Sequence, residues 1–533
     1  MNGFGGTTAL LRLAARRDRV LVPVSVLALV AFVAGSARAT TELYPDVATA
    51  GAALVTTLEN PALVAMYGPV SSLTLDAFAT FKSVLLGAVF LCLLAFVVVR
   101  RHTRTEEEAG RLELLGAGAI GRRAALASAV LLGTAAVLAT AVLTSAASIA
   151  VGLDPAGSVA LGVAWTIIGL SWVGITAVSA QLTESARGTA GFAIGALGVA
   201  FLLRAVADTA GAGSPLRHLV WLSPLGWGER VAPYGANRVG LLALGLIAYA
   251  VLLAAAFALQ SRRDLGSGVL ASRPGPARGT LTSAGALNRR LVRGTVLGWA
   301  VAFGVLGLAL GSIAGSVETF VGSPETLDLL RAIGGDAGSV VDLFFVTELH
   351  VVAVVSAALG IVLVNRIHAE EVAGRAEALL AGPVPRLVWA RGLVGAAIVS
   401  PALVLTLAAA LAGVVDGRRT GDVGGSVARL VLAAWATLPA VWVCVAVAVL
   451  LVGHLPDLTG LAWAALIAFF VVGEFGDLLG LPAVVRAVSP FAHLPALPGG
   501  RLEAVPLVVL LVIAVAVGVV GLAGLRRRDL RAD

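Results

Sequence analysis

Lysine is almost absent from this 533-residue sequence: Lys82 is the one lysine among 38 lysines and arginines. It sits inside an apolar run, and no G-x-x-x-x-G-K-[ST] stretch occurs anywhere. That loop is what cradles nucleotide phosphates in P-loop ATPases, so this chain does not hydrolyse ATP in that way. Cysteine is scarce too. Cys92 and Cys444 lie in apolar runs, without a neighbouring Cys or His at metal-ligand spacing. They read as buried free thiols, and no metal site is expected. Charge itself is thin, 13% of residues against 59% hydrophobic. A soluble domain of this length would alternate polar and apolar faces, and this one does not.

What is present is apolar length. Mean hydropathy is +0.97, and runs near or above the roughly 18 residues needed to cross a bilayer recur throughout. Ala, Val, Leu and Gly fill them on every side, as in a membrane helix bundle. The expected fold class is an all-α polytopic membrane protein with twelve spans, at about 20–37, 77–99, 124–150, 159–180, 189–207, 239–259, 295–313, 344–364, 388–414, 427–452, 461–476 and 504–525. The start has the outline of a signal peptide: "RRDR", an apolar run 20–37, then "ARA". That run is long for an h-region, so it reads as an uncleaved first span.

The net charge of +7 could suggest nucleic acid. Its distribution argues otherwise. Arginines crowd the loops 100–123, 260–293 and 365–387 and the tail "RRRDLRAD", whereas 38–76 and 314–343 lean acidic. Alternating bias of this kind is the positive-inside pattern. It places both termini and the Arg-rich loops in the cytoplasm, and no nucleic-acid partner is expected. The loop "DGRRTGD" at 416–422 is the exception, being outside by this count yet not acidic.

One charged segment returns. "EEEAGRLELLGAGAIGRR" begins at Glu106, and "EEVAGRAEALLAGPVPR" begins at Glu370. At an offset of 264, Glu106, Glu107, Ala109, Gly110, Arg111, Glu113, Leu115, Ala117, Gly118 and Arg122 all meet identical residues. Further on, Ser223-Pro224 of "WLSPLGW" meets Ser489-Pro490 of "AVSPFAH" at 266. "RRDL" at 262–265 meets "RRDL" at 527–530, and "FLLRAVAD" at 201–208 meets "FVVGEFGD" at 470–477. Four landmarks in one order at nearly one spacing indicate a tandem duplication. Each repeat holds an even six spans, so the halves enter the membrane in the same direction as parallel repeats. The expected organisation is a first six-helix repeat over 1–259, a cytoplasmic linker over 260–293 with Pro274, Gly275 and Pro276, and a second repeat over 294–533.

Each charged segment is expected to be a short amphipathic cytoplasmic helix. Glu107 to Arg111 and Glu371 to Arg375 stand acid-first at i,i+4, and Gly118 and Gly382 suit C-terminal caps. A mere spacer needs only polarity, so matched copies suggest docking to a partner with two-fold symmetry.

At these residues the chain resembles the membrane subunits of ABC-2-type exporters, specifically the fused, double-length actinobacterial permeases of polyketide or tetronasin-type antibiotic export. The resemblance rests on "EEEAGRLELL" with "EEVAGRAEALL", on "FLLRAVAD", "WLSPLGW" and "SPFAHLP", and covers nearly the whole chain. It implies ATPase-coupling roles for Glu106, Glu107, Gly110, Arg111 and Glu113 and for Glu370, Glu371, Gly374, Arg375 and Glu377. It implies an elbow helix at 10–19 and re-entrant outer segments at 209–238 and 478–503, the latter marked by Ser223, Pro224, Trp227, Ser489 and Pro490. It further implies a bacterial cell-membrane location, a cytoplasmic ABC ATPase homodimer as partner with ATP and Mg on that partner, no cofactor in this chain, and outward movement of a small hydrophobic or amphipathic substrate. Val372 replaces Glu108, and Pro383 and Pro385 replace Ala119 and Gly121, so the two docking sites need not be equivalent.

Ionisable residues within spans are costly and each asks for a reason. Lys82 and Glu348 fall on equivalent positions at offset 266 with opposite charge. Pairing across the seam between halves is one reading, and separate snorkelling to the interface is the other. Arg204, Asp208, Glu474 and Asp477 mark the ends of the fifth and eleventh spans, as braces or substrate contacts. His350 beside Glu348 keeps a proton-coupled secondary exporter open as the alternative, and a scaffold or sensor is a third class; His454 and His493 carry no assigned role.

Overall fold

The computed structural model describes residues 3–44, 47, 50–51, 61–116, 118, 120–210, 213–270, 279, 281, 283–320, 339–475 and 482–528. Pro274–Pro276, most of 314–343, Asp477 and the side chain of Glu474 lie outside the described residues. Among those described, every regular element is helical. Eleven helices are long and apolar enough to cross a membrane. The chain is an all-α polytopic membrane protein. It divides into two compact units, Met1–Gly275 and Pro276–Asp533.

Unit 1 begins with α1 (Thr7–Arg17), which buries Leu10 and Ala14, and α2 (Leu21–Leu43). After α3 (Pro61–Tyr67) comes α4 (Leu75–Arg101), followed by two short helices, α5 (Arg104–Glu108) and α6 (Arg111–Gly116). The remaining spans are α7 (Ala124–Ala150), α8 (Pro155–Leu182), α9 (Ala186–Thr209) and α11 (Leu242–Ser261), with a 3-10 helix Pro215–Leu222 and α10 (Pro224–Arg230) between the last two. α8 is the pillar, packing on α4, α7, α9 and α11. Its start is legible in "DP": Asp154 Oδ2 accepts from Gly157 N at 2.7 Å, and Pro155 follows with its φ preset for a first turn.

Unit 2 repeats the order with α12 (Ala284–Phe320), α13 (Val340–Val372), short α14 (Arg375–Leu380), α15 (Arg386–Thr420) and α16 (Val423–His454). Then come α17 (Leu461–Phe475), the short α18 (Ala483–Arg486), a 3-10 turn Pro490–His493 and α19 (Ala504–Arg527). α16 is the pillar here, against α13, α15 and α19, and Asp422 caps it by accepting from Gly425 N at 2.8 Å. Glycine permits a close crossing with α19. A Cβ on Gly521 would stand 2.6 Å from Leu450 N, so the backbones meet where side chains are missing.

The eleventh expected span, 461–476, is α17. Two expectations change. The "DGRRTGD" loop is mostly helix, because α15 runs on to Thr420, with Gly421 at φ 82° closing it. The charged segments are not continuous helices. Gly110 (φ 70°) and Gly374 (φ 68°) are left-handed and break each one before its arginine.

Candidate functional site

In unit 1 the broken helix is tied down from several sides. Glu107, 7% exposed, accepts from both terminal nitrogens of Arg263, one at 3.0 Å, and from Gly266 N at 2.7 Å. Arg263 Nε also donates to Gln181 Oε1 at 2.8 Å. Arg104, fully buried, donates to Ala180 O and Ser267 O and pairs with Glu107 at 3.1 Å. Arg122 reaches the carbonyls of Gln260 and Arg263, where α11 ends, a cation placed on the negative pole of a helix. Glu106, 8% exposed, takes Arg111 at 3.1 Å and Arg17 from the end of α1. Asp18, next in the chain, pairs with Arg101 at 2.9 Å and with His102 Nε2 at 2.7 Å. The amino-terminal helix is thereby anchored to the same elbow.

Unit 2 makes the corresponding bonds at the repeat offsets. Arg528 pairs with Glu371, and Arg386 donates to Leu525 O and Arg528 O. Arg375 Nε donates to Glu370 Oε2 at 2.6 Å, and Arg366 adds a contact to Glu370 at 3.3 Å. Gly118 N and Gly382 N each reach back to a carbonyl, Leu115 O at 3.1 Å and Leu379 O at 3.4 Å. "RRDL" and "EExAGR" thus recur together because each is the other's partner.

The expected i,i+4 pairs do not form. With Gly110 and Gly374 turning the backbone, Arg111 and Arg375 fold back onto Glu106 and Glu370 instead. The four first glutamates face inward and hold the elbow. What it presents outward is Arg111, Glu113 and Leu114 in unit 1, and Arg375, Glu377 and Ala378 in unit 2. Leu114 is 80% exposed.

At the opposite end of unit 1 stands a second charged group. Arg204 is fully buried in α9 and donates to Val64 O at 3.2 Å and to Ala65 O. It pairs with Asp208 at 3.3 Å and stands 3.8 Å from Glu229, while Arg230 holds Asp208 from α10 at 3.1 Å. Burial pushes the Glu229 carboxyl well above the usual carboxylate range, with the nearby Asp208 carboxylate adding to it. Ser223 begins α10, donating to Ala200 O at 2.8 Å and accepting from Gly226 N; Trp227 Nε1 bonds Trp221 O at 2.7 Å. Ser489 does the equivalent in unit 2, donating to Phe469 O at 2.6 Å ahead of Pro490. At the position that matches Arg204, unit 2 has Gly473, and a Cβ there would come within 2.7 Å of Ser489 Oγ. Unit 2 has its own brace elsewhere: Asp416, fully buried, meets Arg419 at 3.1 Å, Arg429 at 3.3 Å and Ser426 Oγ at 2.9 Å, and Arg429 also pairs with Asp342.

Lys82 is exposed on α4, its ammonium 5.7 Å from the Phe81 ring centre. Glu348 is half-buried on α13, in the other unit. Cys92 and Cys444 are buried free thiols. Sequence reasoning missed Glu229, Arg230, Asp18, His102 and Arg429 as site residues. None belongs to a repeated motif or stood out as a charge within an expected span, and those were the two signals that found the rest.

The sequence profile of the C-terminal domain of the multidrug efflux system permease Rv1217c matches residues 281–526. The chain is 39% identical over 534 aligned positions to the multidrug efflux system permease protein Rv1217c of Mycobacterium tuberculosis, covering 99% of this chain and 96% of that one.

Proposed function

Because the chain belongs to the family of the multidrug efflux permease Rv1217c, we propose that it is the membrane-spanning subunit of a drug exporter. We propose further that it is of the ABC-2 type, driven by a separate ATPase homodimer that binds ATP and Mg. The observation that carries this reading is the elbow built twice from the same bonds, Glu107–Arg263 with Arg122 and Glu371–Arg528 with Arg386. Each elbow fixes a short helix with a charged outward face to the ends of its own unit's spans. A force on that face is thereby passed to α4 and α11 in one unit and to α13 and α19 in the other. One such helix per unit suits a partner with two identical docking grooves. In this reading both termini and both elbows are cytoplasmic, and the Arg204 and Ser223 end faces outward. The apolar lining of the spans suits a hydrophobic or amphipathic substrate, with Lys82 and Glu348 as charged positions along the route.

The test is transport in proteoliposomes with the partner ATPase, following a fluorescent drug under ATP alone and under a pH gradient alone. ATP-driven movement that is lost in Glu113→Arg/Glu377→Arg, with the protein still folded, is expected, because both residues are exposed and outside the elbow's internal bonds. Movement under the pH gradient without ATPase would overturn the ATP-driven reading in favour of a proton-coupled exporter using Glu348, His350 and Lys82.

A further inference from the structure

Beyond the end of α9, unit 1 holds a cavity of about 530 Å³ whose lining includes Ser214, Arg217, His218, Trp221, Arg230 and Arg238. No carboxylate is among its lining residues. Three guanidiniums and an imidazole around one hollow make a site for an anion, and planar guanidiniums suit phosphate oxygens.

The hollow is held in shape on both sides. Arg230 is set by Asp208 at 3.1 Å. Arg238 is set by its backbone, with its N–H on Val231 O at 2.7 Å. The segment leading to it carries three non-glycine residues in left-handed conformations, Ala232 (φ 54°), Tyr234 (φ 58°) and Asn237 (φ 47°). Such residues persist only when their surroundings over-determine them. Here Ser72 Oγ bonds Tyr234 O at 2.7 Å, and the Tyr234 hydroxyl lies 3.0 Å from Ser158 Oγ. On the other side, the 3-10 helix Pro215–Leu222 is amphipathic. It exposes Leu216 (49%), Trp221 (47%) and Leu222 (67%) beside Arg217 and His218. It follows directly on a membrane span, so this mixture falls at interfacial depth, where a Trp and apolar side chains meet acyl chains and cations meet headgroups.

Unit 2 is the internal control. At the offset that superposes Ser223 on Ser489, Arg217, His218, Arg230 and Arg238 become Ala483, Val484, Ala496 and Ala504. These four residues are therefore not shared between the two matching segments.

We propose that this hollow binds the phosphate of an anionic phospholipid, whose acyl chains lie along Leu216, Trp221 and Leu222. The proposal concerns unit 1 and is independent of how transport is powered.

The experiment uses the full chain in phosphatidylcholine nanodiscs carrying a minor fraction of phosphatidylglycerol with a photoreactive acyl chain, with crosslinked peptides mapped by mass spectrometry. Labelling within 213–222 is expected, and should fall about tenfold in Arg217→Gln/His218→Gln/Arg238→Gln, given the contribution of each interfacial cation. It should persist in Arg217→Lys/Arg238→Lys, which keeps the charge and reports that the segment still folds. It should persist also in Arg12→Gln/Arg16→Gln/Arg19→Gln, which removes exposed cations at the other end of the unit. Unchanged labelling in the first variant would overturn the proposal. So would equal labelling by a photoreactive phosphatidylcholine, or displacement by inorganic phosphate, which would make the hollow a site for the free anion.

Discussion

The two ends of each unit obey different rules. At the elbow end, both units make the same bonds with the same residue types: a buried glutamate held by the second arginine of "RRDL", and an arginine on the final carbonyls of the last span. At the far end, among the described residues, the serine that precedes Pro224 or Pro490 is shared. Unit 1 adds Arg204, Asp208, Glu229 and Arg230; unit 2 leaves that place to Gly473 and braces Asp416 between Arg419 and Arg429. At the elbow end the bonds of the two units agree. Where each meets its own surroundings, a buried charge is tolerated in whatever arrangement pairs it.

The sharpest way to probe that contrast is Arg204→Ala. It removes the cation shared by two buried carboxylates and two carbonyls, and should cost about 3–5 kcal/mol in thermal unfolding of the purified protein. A loss below 1 kcal/mol would mean the cluster is solvated and the contrast between far ends is energetically empty. Next come the matched knots. Arg263→Ala should cost about 3 kcal/mol, and Arg528→Ala about 1.5–3 kcal/mol, because Arg528 is the more exposed, 15% against 8%. Adding Glu107→Ala to Arg263→Ala should cost less than the sum of the two single losses, since both remove the same ion pair, even though Arg104 then loses its carboxylate. Strictly additive losses would break the claim that these residues act as a pair.

The smallest effect expected is a pH slope that belongs to unit 1. Glu229 holds its proton more tightly when folded than when unfolded, facing Asp208, Arg204 and Arg230. Its contribution is therefore full below the unfolded value, about 4.3, and is lost as pH rises towards the raised folded value. Unfolding temperatures measured across that window should fall with pH, and Glu229→Gln should flatten the curve. An unaltered slope in that variant would assign the titration elsewhere.

Repetition made much of the elbow legible. Glu106, Glu107, Gly110, Arg111 and Arg122 all stood out as matched residues, and "RRDL" as a second landmark. That they are one structure was not legible, because Glu107 and Arg263 lie 156 residues apart. The i,i+4 ruler failed because it presumes a continuous helix, whereas one left-handed glycine re-aims every side chain after it. Asp416 read as a loop residue because "DGRRTGD" falls between two apolar runs, yet α15 runs past it to Thr420. Arg204 and Asp208 were found as intramembrane charges, but Glu229 was not, because nothing local distinguishes a buried glutamate in a Pro- and Gly-rich segment from a surface one.

Some features of this protein are properties of the chain read along itself. Apolar runs of bilayer length, the scarcity of lysine and charge, and the recurrence of motifs near 265 residues follow from composition and order alone. They determine a polytopic helical membrane protein in which charged motifs recur. Which charge meets which was left to the tertiary structure. Several of these pairs join residues far apart in the chain, Asp208 with Arg230 across 22 positions and Glu371 with Arg528 across 157, and a carboxylate enters an apolar bundle where packing delivers a cation to it.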